Sequence, residues 1–229
     1  MRTPTQPQET ADVFSPIRPG SLVATVREQI RDAILGGQIK AGEQVRDSVL
    51  ATKMNVSRAP VREALRLLEQ SGLVEKTANK PYRVKSFAEE DLLELAVLRI
   101  AIETTAARVV VAQGRDVTEM HEALAQMRLA WEERSDAGLD AADWLFHRAL
   151  VRASGVGRLL AKYDELVDQI ILAWQRLSED APRKAGSLLP HEELLQTLER
   201  CAAQQDPDDI AQLLVDHIRS GMGCDDLKI

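Results

Sequence analysis

The chain has 229 residues, 45% hydrophobic, 28% charged and 3% aromatic, a globular composition that excludes disorder throughout and allows one large domain or two small ones. Its 29 Lys and Arg against 36 Asp and Glu give a net charge of -7, but residues 1–85 carry 14 basic and 9 acidic side chains while residues 86–229 carry 15 and 27. A front third at +5 joined to a remainder at -12 points to one segment suited to a polyanion and one that is not.

Residues 1–20 place Pro4, Pro7, Pro16 and Pro19 among Gln, Thr and Ser without the apolar core of a signal peptide, and read as a flexible leader. Cys201 and Cys224 have no CxxC pairing, which argues against a disulfide framework or a thiolate zinc site and fits a reducing cytoplasm. The longest apolar stretches, near Leu95 to Leu98 and Ile170 to Trp174, are broken by Arg99 and Gln175 and are too short to span a bilayer, so no membrane partner is expected.

The first periodic segment puts Val23, Val26, Ile30 and Ile34 on one helical face and ends at Gly36-Gly37. Asp47 is placed to cap a short second helix with Leu50 and Met54 inward, and Asn55 suits the positive φ of a tight turn. Ser57 is the next N-cap, Pro60 falls in the first turn of a third helix, and Val61, Leu65 and Leu68 form its buried stripe up to Gly72. Leu73 to Glu75 and Tyr82 to Lys85 read as a hairpin around the turn Thr77 to Pro81. Three helices and a hairpin over residues 21–85 predict a winged helix-turn-helix.

From residue 86 to 223 the period is helical, with Ser86/Glu89 and Asp116/Glu119 resembling capping boxes. Six helices are predicted, over 89–113, 117–136, 141–154, 158–178, 190–204 and 207–221. The breaks fall at Gly114, Gly138, Gly155 with Gly157, the loop Pro182 to Gly186, and Asp206-Pro207. Residues 224–229 read as a tail. The chain is therefore expected to be mostly α, its winged helix-turn-helix followed by an antiparallel helical bundle.

On the third helix Arg58, Arg62 and Arg66 recur every four residues opposite the buried stripe, a face that fits a major groove. Arg58 and Arg62, at the end that enters the groove, are placed to read guanine edges, whereas Arg66 is equally well explained by pairing with Glu63 or Glu69. Ser57 joins the same end. Lys76, Lys80 and Arg83 of the wing are placed for phosphates, which position a domain without specifying sequence. One such head covers a half-site, so a two-fold homodimer on an inverted repeat of double-stranded DNA is expected.

The run Val-Ser-Arg-Ala-Pro-Val-Arg-Glu-Ala-Leu-Arg-Leu-Leu-Glu at residues 56–69, with Gly72-Leu73-Val74 after it, resembles the signature of the GntR family of bacterial transcription regulators. The downstream domain is similar to the all-helical FCD effector domain of the family's FadR-like branch. Two departures stand out: Pro81 occupies the place of the usual wing glycine, and Ser48 stands where some members carry a DNA-contacting arginine.

In the acidic domain Asp143 and His147 lie four apart on one helical face, His191 opens the fifth helix and His217 lies near the end of the sixth. One carboxylate and three imidazoles suit zinc, nickel or manganese, although spacing alone fits exposed or satisfied histidines equally well. The resemblance implies the ligand reading: Asp143-Trp-Leu-Phe-His147-Arg-Ala-Leu is similar to the FCD metal motif, and His191 and His217 match its later two ligand positions. His121 has no matching role and reads as a surface residue. Arg99, on the apolar first helix of the bundle, must pair with Glu103 or face an effector pocket, and its position is similar to an arginine lining the FCD cavity. Arg148 and Arg152 are weaker effector candidates. The leading function is a metabolic repressor responding to a small organic acid bound at the metal. The alternatives are a metal-dependent hydrolase, disfavoured by the absence of GxSxG and HExxH, and a regulator whose bundle binds acyl-CoA or only dimerises.

Overall fold

The structure, a computed structural model, describes residues 22–78, 80–177 and 188–227. The leader and the loop Pro182 to Gly186 lie outside the described residues. The head consists of α1 (Leu22–Leu35), β1 (Gln44–Val45), α2 (Asp47–Lys53), α3 (Arg58–Gln70), β2 (Val74–Glu75) and β3 (Tyr82–Val84). The bundle follows as α4 (Glu89–Gln113), α5 (Thr118–Glu132), α6 (Asp136–Ala153), α7 (Gly157–Leu177), α8 (Leu188–Gln204) and α9 (Asp208–Gly221). The chain is thus mostly α, a winged helix-turn-helix followed by a helical bundle.

The apolar stripes set this arrangement. Val26, Ile30 and Ile34 of α1 are buried against Val61, Ala64, Leu65 and Leu68 of α3. Asn55 takes φ 52° in the turn between α2 and α3, as its short polar side chain permits. The wing is a three-stranded antiparallel sheet in the order β1-β3-β2, with Gln44 opposite Arg83 and Val74 opposite Val84. Its outer strand, β1, is only two residues long and carries no alternation that sequence reading could detect; burial of Val45 anchors it.

Several expected caps are corrected. Asp47 is the first residue of α2 rather than its cap, because its carboxylate is drawn to arginines of α3. Ser86 and Glu89 form no box: α4 begins at Glu89, and the Ala88 amide donates to Asp91 at 2.6 Å. Asp116 accepts from the Thr118 amide at 3.1 Å, but Glu119 turns away to Arg152. Gly138 does not separate helices. Arg134 makes the turn at φ 55° and Ser135 accepts from the Gly138 amide at 3.1 Å, so α6 starts five residues before the expected 141.

In the bundle α4 packs against α6, α7, α8 and α9. Its N-terminal half, with Leu92, Leu95 and Ile100, joins Leu166 and Ile170 of α7 and Ile218 of α9 in the same apolar core as Ile30, Leu65 and Leu68 of the head. A second core fills the far end of the bundle, around Val110, Met127, Phe146, Leu150 and Leu198. After α9, Cys224 is buried and Leu227 packs on the first core. Head and bundle are also joined by polar contacts. Arg31 of α1 holds Asp168 of α7 through Nε at 2.7 Å and Nη2 at 2.5 Å, and Gln169 donates to the Ser71 carbonyl at 3.1 Å.

Candidate DNA interface and metal centre

The hydrophobic stripe of α3 faces α1, which leaves Arg58, Arg62 and Arg66 on the solvent side. Arg58 donates to both oxygens of Asp47, at 3.0 and 3.1 Å, and Arg62 donates from Nε to Asp47 Oδ2 at 2.5 Å. One half-buried carboxylate thus gathers two guanidinium groups across the helix-turn-helix. The Arg62 bond holds the Asp47 carboxyl below the usual carboxylate range, against the opposing effect of burial and with Arg58 adding to it. Arg66 is taken by Glu63, at 2.6 and 3.0 Å. Ser57 precedes α3 with an extended backbone and makes no side-chain cap, so its hydroxyl is exposed beside Arg58.

Arg62, Lys76, Lys80 and Tyr82 line one cleft of about 540 Å³ between the start of α2, α3 and the wing, together with Arg46 and Ser48. Lys76 lies over the Tyr82 ring, 4.9 Å from its centroid. Arg83 lies on β3, donates to the Gly42 carbonyl and does not line this cleft. The structure therefore brings Arg62 and Lys80 together and sets Arg83 apart. Sequence reading missed Asp47 as the partner of both Arg58 and Arg62, 11 and 15 residues away, where no helical period applies. It also missed Arg46. The nearby Ser48 draws attention to an absent cation, while a cation two residues upstream enters the cleft.

In the bundle Asp143 and His147 of α6, His191 of α8 and His217 of α9 come together, each offering a donor atom within 4.8 Å of the others. His147 Nε2 is 3.1 Å from His217 Nε2, and His191 Nε2 is 3.0 Å from Asp143 Oδ1. Ligands on neighbouring corners of a coordination polyhedron with arms of about 2.1 Å stand roughly 3.0–3.4 Å apart. These two spacings fit that geometry. His147, His191 and Asp143 are buried and His217 nearly so. Burial lowers the pKa of His147 despite Glu103, and burial with the neighbouring imidazoles and Arg99 lowers that of His217 to about 2. Both rings are therefore neutral, the form that ligates a cation.

Behind the donors lies a second carboxylate. Glu103, fully buried on α4, accepts from His147 Nδ1 at 2.7 Å, from Arg99 Nε at 2.8 Å and from the Tyr163 hydroxyl at 3.0 Å. Its pKa is held at about 2 although burial acts to raise it, with His147 and Arg99 the main opposing partners. Because a carboxylate can only accept, His147 carries its proton on Nδ1 and presents the Nε2 lone pair to the cluster. Of the two places expected for Arg99 the structure shows the pair with Glu103, and its guanidinium also lies 5.0 Å from the Trp144 ring centroid. The i, i+4 spacing revealed the Arg99 pair, but nothing in the sequence links Glu103 to His147, 44 residues on. His121 is exposed and pairs with Glu199, while Arg148 and Arg152 pair with Asp164 and Glu119.

A winged helix-turn-helix presenting arginines, fused to an all-helical domain with a buried histidine cluster, defines a DNA-binding transcriptional regulator. The gntR family of bacterial regulatory proteins matches residues 22–84, and the FCD domain matches residues 94–220. The chain belongs to the GntR family and carries the FCD domain. It is 32% identical over 166 residues, 69% of this chain and 72% of the relative, to a protein of Paenarthrobacter nicotinovorans named "Probable D-xylose utilization operon transcriptional repressor". It is 30% identical over 145 residues, 61% of this chain and 66% of the relative, to the HTH-type transcriptional repressor GlaR of Escherichia coli (strain K12). The fold is that of E. coli McbR/YncC, with a TM-score of 0.71 at 20% identity over 89% of this chain and 96% of that one. Relatives and domain families alike are regulatory rather than enzymatic. No described helix is long and apolar enough to cross a membrane.

Proposed function

We propose that this regulator is a cytoplasmic repressor of a metabolic operon, that it binds an inverted-repeat operator as a homodimer, and that a small carboxylate effector bound at a divalent metal in the bundle alters its operator affinity. The repressor names of the two relatives support the sign of regulation. The four converging donors of the bundle carry the metal half of the proposal. In this reading Arg58 and Arg62 contact bases. Ser57, Arg66, Lys80 and Arg83 contact the backbone, Arg66 by exchanging Glu63 for a phosphate.

Asp143, His147, His191 and His217 would hold zinc, nickel or manganese, the borderline cations this donor set suits. Such an ion supplies positive charge and open coordination positions for a carboxylate. The chain's own residues prepare the place. Glu103 fixes the tautomer and orientation of His147, Tyr163 and Arg99 fix Glu103, and Arg99 adds a permanent cation for the effector. Metal analysis of the purified protein tests this, with about one ion per chain expected. Chelation should then abolish the response of operator binding to carboxylates while leaving operator binding itself. A metal-free protein that still responds would return the four residues to a structural role.

The dimer is supported by α4. Leu93, Val97 and Leu98 are exposed on its outer face, Leu98 by 53%, in line with Ala101 and Thr105. An antiparallel contact centred on Ala101 sets Glu94 beside the partner's Arg108, so the stripe is complementary to itself in charge as well as in apolarity. Arg108 now holds Asp208 at 3.0 Å in an exposed pair that a partner can replace. Sedimentation should give a dimer for the wild type and a monomer for Leu98→Glu. A wild-type monomer at micromolar concentration would refute the dimer, and an unchanged dimer in the variant would refute this face.

A further inference from the structure

We propose that the cleft where α1 of the head meets α6 and α7 of the bundle is a second ligand site, separate from the histidine cluster, that takes a small aromatic monocarboxylate. The cleft has a volume of about 590 Å³, within the range of metabolite pockets. Trp144, Leu145 and Ile171 give it an apolar wall, and three arginines, Arg27, Arg31 and Arg148, stand around it.

The arginines are not equivalent. Arg31 is spent on Asp168 through two bonds, and Arg148 on Asp164 through two bonds at 2.6 and 2.9 Å. Among the described residues Arg27 has one ion pair, to Glu28 at 3.7 Å, with the charge of Asp168 at longer range, and its Nε is buried there without a hydrogen-bond partner. The side chain is nonetheless 36% exposed, and with only the 3.7 Å contact to Glu28 its terminal nitrogens are open to both oxygens of a carboxylate.

The charge of the rim limits the ligand further. Arg27, Arg31 and Arg148 stand with Glu28, Asp164 and Asp168, so the rim is neutral and each further ligand charge goes uncompensated, which favours a single carboxylate over a phosphate or a dicarboxylate. One carboxylate on Arg27 with a flat apolar body against the Trp144 indole satisfies both halves of the site. Trp144 and Tyr163 separate it from the metal cluster: Arg99 lies on the Trp144 ring, and the Tyr163 hydroxyl is bonded to Glu103. The ligand would touch α1 and α7 together, beside the Arg31–Asp168 bridge, and its occupancy would be felt by the head.

Calorimetric titration of the full-length protein with benzoate, after removal of metal by EDTA, tests this. The expected result is one benzoate bound per chain in the chelated protein, with affinity reduced at least tenfold by Arg27→Gln. Ala141→Trp, which fills the cleft from an exposed position of α6 without removing a polar group, should have the same effect. Both variants are first checked for wild-type helicity and melting, and Arg27→Gln alone decides if Ala141→Trp does not fold. Absence of binding to the chelated protein at millimolar benzoate overturns the proposal, as does unchanged affinity in a folded variant. The metal reading rests on metal content and stands or falls separately.

Discussion

Replacing Arg62 with Ala separates reading of DNA from folding. A guanidinium bidentate to guanine contributes about 1–3 kcal/mol of discrimination, and the two-fold dimer proposed above would lose it in both half-sites, so the operator complex should weaken by about 2–6 kcal/mol, roughly 30-fold to more than 10⁴-fold. The effect on stability is far smaller. Arg62 is 60% exposed, its 2.5 Å contact with Asp47 is a surface ion pair worth well under about 1 kcal/mol, and Asp47 retains Arg58. Fluorescence anisotropy at fixed salt, with the operator and a scrambled duplex of equal length, should therefore show a large loss for the first and a small loss for the second, with an unchanged melting curve. An Arg62→Ala protein that keeps both affinity and discrimination would falsify the assignment of α3 as the reading helix.

Three further outcomes follow from the geometry. Asp47 should titrate below its ordinary 3.8 in a carboxylate NMR experiment and move upward in Arg62→Ala. Because its folded pKa is depressed, the stability it contributes is present above about pH 4 and fades as pH falls through the folded value; an unshifted Asp47 would mean that the triad does not form in solution. Chelation should lower the melting temperature by roughly 5–10 °C if the metal is at about 100 times its dissociation constant, a stabilisation of about 2.7 kcal/mol, and His217→Ala should abolish the difference. Gly72→Ala should cost more than about 1 kcal/mol, since φ is 78°, strained for an L side chain whatever the space, and the new Cβ would also fall 2.9 Å from the end of the Gln169 side chain; a neutral result would refute the positive φ there.

Much of this was legible from periodicity. Val26, Ile30 and Ile34, and Val61, Leu65 and Leu68, announce helices whose inner faces are fixed by apolar spacing, and the arginines of α3 follow by exclusion. The grouping of Asp143, His147, His191 and His217 was within reach because Asp143 and His147 share a helical face and the later histidines match a family pattern. What sequence reading could not reach is whatever depends on contacts between distant elements: the two residues of β1, the pairing of Asp47 with Arg58 and Arg62, and the place of Glu103 behind His147. The expected caps failed for a related reason. At Asp47 a tertiary partner outcompetes the local amide, and at Gly138 the turn was taken earlier, by Arg134, a residue with no intrinsic preference for a positive φ.

The core that runs from Ile30 and Leu65 through Leu95 to Ile170 and Ile218 ignores the boundary between head and bundle. Chimeric sensors are commonly imagined by exchanging heads at the linker, and in this protein such a graft would leave half of an apolar interface facing the wrong residues. A working hybrid would have to carry the matching surfaces of α4, α7 and α9 with the new head, along with Asp168 for Arg31 and Gln169 for the Ser71 carbonyl. The unit that can be transplanted is the seam, not the sequence segment.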